Sequence, residues 1–338
     1  MTPDNRCFLI AEIGQAHDGS LGILHSYIDV LAETGVDAIK FQTHIAEAES
    51  SLQEPFRVKF SYEDDTRFDY WKRMGFTKPQ WVEVKKHCEE VGLEFMSSPF
   101  SQAAVDLLEE LDIKRYKIGS GEVTNFLMLE KIAKTGKPII LSSGMSSFEE
   151  LDRSVEFIRS FGNDLSIVQC TTAYPTPYDR LGLNVIAELK ARYPFAKVGL
   201  SEHTGEIYAG IAATALGADL LEFHAVFDKR MFGPDATSSL EIEQIRALVK
   251  GVRSIESSLQ NPIDKNDLSN YKDLKKIFEK SLAVNKPLAK GHLLSFDDLE
   301  AKKPAGHGIK ASSFRAVLGK EVTRDLAQWD FLNEEDLA

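Results

Sequence analysis

A (β/α)8 barrel of the α/β class, the TIM barrel, with a small β-rich domain behind it, is the fold this sequence predicts, and three observations predict it. From Phe8 to Gln260 one unit recurs: a short apolar strand, a polar turn, then an amphipathic helix. The strands are near-continuous apolar runs, which is how parallel strands read when helices cover them. The unit occurs eight times, a number that favours a closed barrel over an open sheet. In such a barrel the C-terminal strand ends carry the active site.

The strand candidates, in order, are FLIAEIG, DAIKFQT, LEFMSSPF, YKIGSG, PIILSSG, SIVQCT, AKVGLSEH and LLEFHAVF. Between them, LHSYIDVLAETG, QAAVDLLEELD, LMLEKIAKTG and LDRSVEFIRSFG carry helical periodicity. Gly35, Gly92, Gly136, Gly162 and Gly217 stand where helix C-caps are expected. The connection from Ala46 to Lys78, containing FSYEDDTRFDYWKRM, is too long for a tight turn and too aromatic for a disordered linker. It reads as an insertion over the barrel mouth, where specificity loops are common, with a surface flap of no role as the plainer alternative. NPIDKNDLSNYKD is polar and turn-rich. These features divide the chain into a barrel over 1–260, a linker over 261–280 and a compact β-rich domain over 281–338. Within the last, AKGHLLSFDDLE and AQWDFLNEEDLA share a turn, an apolar pair and an acidic pair followed by Leu.

Composition excludes several classes of function. The net charge of -12 offers no broad basic patch, which argues against nucleic-acid binding. The start, MTPDNRCFLI, lacks the features of a signal peptide, and no run approaches the roughly 18 apolar residues that span a bilayer, so a cytoplasmic location is expected. Cys7, Cys88 and Cys170 are widely spaced and form no CxxC pair, arguing against a disulfide framework or a thiolate zinc site. They read as small core residues.

Polar residues at the strand ends are the functional signal. Glu12 sits in an apolar strand, where a charge is costly unless paired or used. With it come Lys40 and Gln42, Ser97 and Ser98, Lys117, Ser120 and Glu122, Ser142 and Ser143, Thr171 and Thr172, Ser201 and His203, and His224. Together they suit one compact anion-and-metal site. His203 and His224 end neighbouring strands about 4.8 Å apart, so both can reach one divalent cation; two separately hydrogen-bonded histidines are the alternative. Lys40 and Lys117 either pair with internal carboxylates, await an anionic ligand, or form a Schiff base. Gly119, Gly121 and Gly144 in IGSGE and SSGM allow close approach of phosphate to the backbone. His17, His25, His44, His87, His292 and His307 have no comparable partner and read as loop or surface residues.

AEIGQAHDGS, IKFQTH, SSPFS, YKIGSGE, PIILSSGM, YPTPY, GLSEHT and GPDATSS, in this order, resemble the sialic acid synthase family, N-acetylneuraminate synthase and related nonulosonic acid synthases. SLAVNKPLAKGHLLSFDDLEAKKPAGHGI resembles that family's C-terminal antifreeze-like (SAF) domain. The resemblance implies condensation of phosphoenolpyruvate with N-acetylmannosamine or a related aldose, and a divalent metal, Mn2+ first, with Mg2+ or Co2+ as alternatives. It also implies a homodimer in which the small domain reaches across the partner's barrel mouth. Carried onto this sequence, it makes His203 and His224 metal ligands, and makes Lys40, Ser98, Lys117, Ser120, Ser142 and Ser201 the phosphoenolpyruvate site. It sets Gln42, Glu122, Tyr174 and Asp235 around the sugar or metal-bound water, and makes Glu12 an acid/base or positioning group at the sugar carbonyl. Three places depart from the family pattern: Ala16 stands where the first motif usually has Asn, Thr172 stands where Asn often follows Cys-Thr, and Lys303, Pro304, Ala305 stand where the small domain has Arg-Pro-Gly, the group that would recognise the sugar's acyl group.

The mechanism expected from these parts is attack of C3 of phosphoenolpyruvate on the open-chain aldehyde, capture of C2 by water, and loss of phosphate by C–O cleavage. A legionaminate- or pseudaminate-type synthase, a lysine-dependent aldolase, a condensing enzyme for phosphorylated aldoses and a non-enzymatic carbohydrate- or ice-binding protein are the competing readings.

Overall fold

Each apolar run becomes a strand in the computed structural model, which describes residues 6–58 and 62–338. The strands are β1 Phe8–Glu12, β2 Ala38–Thr43, β3 Glu94–Pro99, β4 Tyr116–Ile118, β5 Ile139–Ser142, β6 Leu165–Cys170, β7 Lys197–Glu202 and β8 Leu220–Val226. All pair in parallel, in the order β3-β2-β1-β8-β7-β6-β5-β4. The two ends of that path, β3 and β4, pack side by side, so the barrel is nearly closed. A short β9, Leu240–Glu241, adds to the end of β8.

Helices α1 Leu21–Ala32, α4 Lys78–Glu90, α5 Gln102–Glu110, α6 Phe126–Ala133, α7 Phe148–Arg159, α8 Leu183–Arg192, α9 Tyr208–Ala215 and α10 Ile242–Gln260 surround the strands. Local chemistry starts several of them. The Ser20 and Ser101 hydroxyls each accept a first-turn N–H, and Ser147 and Glu150 close a reciprocal capping box. Gly35, Gly92, Gly136, Gly162 and Gly217 all adopt positive φ after a helix.

The period of two along each strand separates two apolar layers. Leu9, Ala11, Ile39, Phe41, Phe95, Leu141, Ile167, Leu200, Leu221 and Phe223 face the helices in the main core. Ile10, Ala38, Met96, Ile140, Val168 and Leu220 form a second cluster inside the barrel. Side chains two residues further along point to the same face. Those residues are Glu12, Lys40, Ser98, Ser142, Cys170 and Glu222. The apolar plug therefore ends where a ring of polar and titratable groups begins.

The insertion after β2 forms α2 Ala46–Glu49 and α3 Arg67–Met74, with Ala46, Tyr70, Trp71 and Met74 as a small core. Residues 59–61, part of the aromatic stretch expected there, lie outside the described residues. Arg73 donates to Asp64 and Asp18, tying the insertion to the loop after β1.

The chain divides at Asn261 into units of 1–261 and 262–338. The segment expected as a linker carries a 3-10 turn at Ser269–Tyr271 and a helix, α11 Lys272–Phe278. The second unit has its own core of Leu282, Val284, Leu288, Leu294, Ile309, Val317, Val322, Leu326 and Leu332. Within it, β10 Ser281–Val284 pairs antiparallel with β11 Leu299–Lys302. Its two similar segments make the same local structure. Asp298 accepts from the Ser295 amide and pairs with Lys286, while Asp336 accepts from the Asn333 amide and pairs with Arg324.

Candidate active site

A cavity of about 370 Å3 opens at the C-terminal ends of the strands. Every barrel residue proposed above for catalysis, substrate or metal lines it: Glu12, Lys40, Gln42, Ser98, Lys117, Ser120, Glu122, Ser142, Thr172, Tyr174, Ser201, His203, His224 and Asp235. Lys303 belongs to the second unit, where its ammonium lies 4.9 Å from the Phe278 ring centroid. Ser97 and Ser143 take structural bonds instead, to Thr43 and Gln169, and Thr171 donates to the Arg180 carbonyl.

Paired charges make the floor. Glu12 and Lys40 are register partners on β1 and β2, and the Lys40 ammonium lies 2.7 Å from Glu12 Oε2 and 3.2 Å from Ser98 Oγ. Burial opposes a charge on Lys40, but Glu12 and Glu222 outweigh it and raise its pKa. Lys117 lies 3.3 Å from Glu222 Oε1, which also accepts from Ser201 at 3.0 Å. Burial would lift the Glu222 carboxyl; Lys117 and then Lys40 pull it below the ordinary carboxylate range. The Ser120 and Ser142 hydroxyls are 2.9 Å apart. Of the three glycines singled out in this region, Gly144 alone is crowded. A methyl there would collide with Ser120 Oγ and lie 2.6 Å from Thr172 Oγ1, whereas Gly121 meets nothing and Gly119 only Phe100 at 3.9 Å.

The two histidines face each other across the cavity, ring centroids 5.3 Å apart, with Tyr174 centred 4.4 Å from His203. His203 Nδ1 lies 3.2 Å from the Thr171 carbonyl. With a proton on Nδ1, Nε2 is the nitrogen left to meet a ligand; burial would lower the ring's pKa, but Cys170 and the Thr171 carbonyl raise it, so a cation binding there has to displace the Nε2 proton. Neither nitrogen of His224 has a hydrogen-bond partner among the described residues, and burial pushes its pKa down, so the ring is a neutral donor. Asp235 approaches from the loop after β8, held by Arg57 at 2.6 Å; burial would raise its carboxyl, but His224 and Arg57 bring it down. The Arg57 guanidinium lies 4.1 Å over the Tyr174 ring, so the insertion covers this side of the mouth. Among the described residues no cluster of three or more His, Cys, Asp or Glu forms a complete metal cage. A two-histidine site would leave positions for water and substrate.

The opposite wall corrects the reading of the remaining histidines. His44 is buried and lines the cavity, and His17 is buried too. His25 and His87, expected to lack partners, meet through their Nδ1 atoms at 2.8 Å on the outer helices. Cys7 and Cys88 are core residues, but Cys170 lines the cavity, and there burial, which would raise its thiol, is outweighed by His203, bringing it to about 7. Glu222, Gln15, Glu49, Glu54, Arg57, Arg67, Trp71 and Phe100 also line the cavity and were not singled out in the sequence. Glu222 was within reach: it stands two residues before His224 in an apolar strand and so faces the same way. The residues of the insertion gave no such signal, because no periodicity fixes where a loop folds back.

Comparison with known proteins places the chain among relatives. Residues 27–264 match the NeuB family and residues 279–337 match the SAF domain. The chain is 33% identical to an N,N'-diacetyllegionaminic acid synthase of Campylobacter jejuni, over 97% of this chain and 99% of that protein. It is also 33% identical to the human N-acetylneuraminate-9-phosphate synthase, over 97% and 92%. Among solved structures, the N-acetylneuraminic acid (sialic acid) synthetase of Leptospira borgpetersenii in complex with citrate superposes with a TM-score of 0.71 at 26% identity, over 80% of this chain and 91% of that one.

Proposed function

The chain belongs to the NeuB family, and on that premise we propose how its site performs a sialic acid synthase reaction. It is an enzyme that condenses phosphoenolpyruvate with an amino-sugar aldose and water to give a nonulosonic acid and phosphate. N-acetylmannosamine is the first-choice aldose, with the diacetamido sugars of legionaminate- or pseudaminate-type acids as alternatives. The observation that carries the reading is the polar ring over the barrel plug, with two lysines, four serine hydroxyls and two carboxylates converging on one cavity.

Phosphoenolpyruvate is a compact trianion that needs convergent cations and hydroxyls. Lys40, Lys117, Ser98, Ser120, Ser142 and Ser201 form that set. Gly144 leaves the approach to the Ser120 and Thr172 hydroxyls open. Glu12 stands at the aldehyde end, oriented by Lys40 on one oxygen and by the Gln42 amide at 2.8 Å on the other. Burial raises the Glu122 carboxyl, against an opposing hydrogen bond from Asn125. A carboxyl that keeps its proton above the usual range can deliver it to the new alkoxide or the departing phosphate. Holding both substrates in one cavity converts a bimolecular condensation into an oriented encounter.

The Nε2 of His203, left by the Nδ1 contact with Thr171, and the unpartnered ring of His224 fit a divalent cation that displaces a proton on binding, manganese first, with magnesium and cobalt as alternatives. His203 and His224 would hold it, and a bound cation supplies Lewis acidity toward the aldehyde oxygen. The lysine-dependent aldolase is disfavoured for Lys40: imine formation needs a neutral amine, and this one is held charged by Glu12.

The test is phosphate release from phosphoenolpyruvate with manganese and, separately, N-acetylmannosamine, its 6-phosphate, a diacetamido sugar or no sugar. Release that needs metal and one sugar is expected; no release under any condition would overturn the reading. A homodimer is part of the proposal, supported by exposed Ile263, Leu268, Leu274, Ile277 and Phe278 along the start of the second unit. Light scattering at micromolar protein tests it. A cytoplasmic location is also proposed, supported by three unpaired cysteines and by the lack, among the described residues, of any helix long and apolar enough to cross a membrane.

A further inference from the structure

The insertion between β2 and α4 places a carboxylate-histidine pair against the cavity wall. His44 follows the end of β2, and its Nδ1 lies 2.6 Å from Glu49 Oε1. Glu49 is at the end of the one-turn helix α2, and its other oxygen accepts from the Ile45 amide at 3.3 Å. That helix has no side-chain cap of its own, so Glu49 both completes the turn and faces the ring. The imidazole is sandwiched, its centroid 3.7 Å from Trp71 and 4.5 Å from Phe100, with interplanar angles of 18° and 12°. A ring held on both faces and at Nδ1 has one group left to aim.

That group is Nε2, which lies 3.0 Å from Gln42 Oε1. Gln42 donates its amide N–H to Glu12 Oε1 at 2.8 Å, and a carboxylate only accepts, so the amide oxygen must face away, toward His44. The Gln15 amide N–H donates to that same oxygen, so with His44 Nε2 donating to it as well, the Gln42 oxygen accepts from both. A continuous chain thus runs Glu49, His44, Gln42, Glu12, Lys40, Ser98.

We propose that Glu49 and His44 are a positioning pair through which the insertion fixes the Gln42 amide, and with it the aim of Glu12 at the aldose carbonyl. This rests on the reading of Glu12 as the group at the aldehyde end. The pair does not touch phosphoenolpyruvate in this scheme; it sets one oxygen of a group that acts in the condensation. Displacing a reacting group by about 1 Å can cost on the order of 100-fold in rate, which is the scale available to such a pair.

His44→Phe keeps an aromatic ring between Trp71 and Phe100 and removes both ring nitrogens, so it separates aiming from packing. The expected result is a fall in kcat of about 10- to 100-fold, with phosphoenolpyruvate affinity by equilibrium binding within about twofold; the melting temperature falls because the buried Glu49 carboxylate loses its ring partner, and His44→Phe with Glu49→Gln recovers it without recovering kcat. His44→Gln, whose amide can reach toward Gln42 Oε1, should recover part of the loss. Glu49→Gln should cost kcat alone but add nothing to His44→Phe, as for two members of one unit. Full kcat in folded His44→Phe, equal loss of phosphoenolpyruvate binding, or independent multiplying effects would overturn the proposal. Nitrogen-15 spectra of histidine-labelled protein test the contact without turnover: the His44 Nδ1 signal should shift in Glu49→Gln, and an unmoved signal counts against it. Failure of the wild type to release phosphate with any aldose would instead overturn the proposed function.

Discussion

Lys117 and Glu222 show what the buried charges at the floor do separately for folding and for function. Their side chains are only 4% and 6% exposed, so removing Lys117 leaves the Glu222 carboxylate buried with no contacting cation and only the Ser201 hydroxyl bonded to it. Breaking a buried pair costs about 3–5 kcal/mol, whereas replacing both members is often near neutral. Lys117→Met should therefore lower the unfolding free energy from urea titration by that order, and Lys117→Met with Glu222→Gln should recover most of the stability while phosphoenolpyruvate binding stays lost. Recovery of binding with stability would show Lys117 to be structural only. Glu122 gives a pH dependence with the opposite sign to a paired carboxylate. Its folded pKa is raised by burial, so the protonated form is the one the fold favours. Its stabilisation is full below the ordinary value of about 4.3 and is lost as pH rises through the folded value. If it donates a proton, kcat should show an alkaline limb at that folded value, absent in Glu122→Gln; an identical limb in the variant would assign it elsewhere. At this scale the sequence exposed charges stranded in apolar strands, such as Glu12 and Lys40. It hid His44, whose role depends on contacts made by a loop that returns from elsewhere.

Strands and helices were legible because each obeys its own period. The apolar runs, serine caps and positive-φ glycines all agree on strand, turn, helix, and the parity of each strand then decides which side chains enter the cavity. The α2–α3 insertion has no comparable rule: its direction is set by Arg57 on Asp235 and Arg73 on Asp18. The helix inside the expected linker left no signal for a related reason, since α11 is short and its apolar residues are exposed, leaving little periodicity. The turn after β5 offers the sharpest test of an element. Gly144 carries no positive φ, so alanine is conformationally allowed there, and what forbids a side chain is space. Gly144→Ala should displace the Ser120 and Thr172 hydroxyls, raising the KM for phosphoenolpyruvate about tenfold, the loss of one to two hydrogen bonds to an anion. Melting should move little. Gly22→Ala, on α1 outside the cavity and with only Ser20 Oγ near the added methyl at 3.9 Å, should leave KM unchanged and serves as the control.

At the scale of the whole molecule, the two units have separate cores, and the histidine pair belongs to the first alone. Any cation bound there must therefore stabilise the barrel by an amount that grows with the logarithm of its concentration over its dissociation constant. At 100 times its dissociation constant a ligand of the folded state adds about 2.7 kcal/mol. For a unit of this size each kcal/mol moves the melting temperature by about 2–4 °C, so saturating manganese should raise the barrel transition by roughly 5–10 °C over the protein in EDTA. The transition of the second unit, held by Leu282, Val284, Val322, Leu332 and their neighbours, should not respond to the metal itself. His203→Gln and His224→Gln should each remove most of the shift, because two nitrogens are the whole histidine donor set in the cavity apart from His44, which Glu49 and Gln42 already engage. Calorimetry with and without metal on the three proteins separates the outcomes without any assay of turnover. An equal shift in both variants would place the cation elsewhere on this acidic surface and leave the two rings as neighbours in a purely organic site.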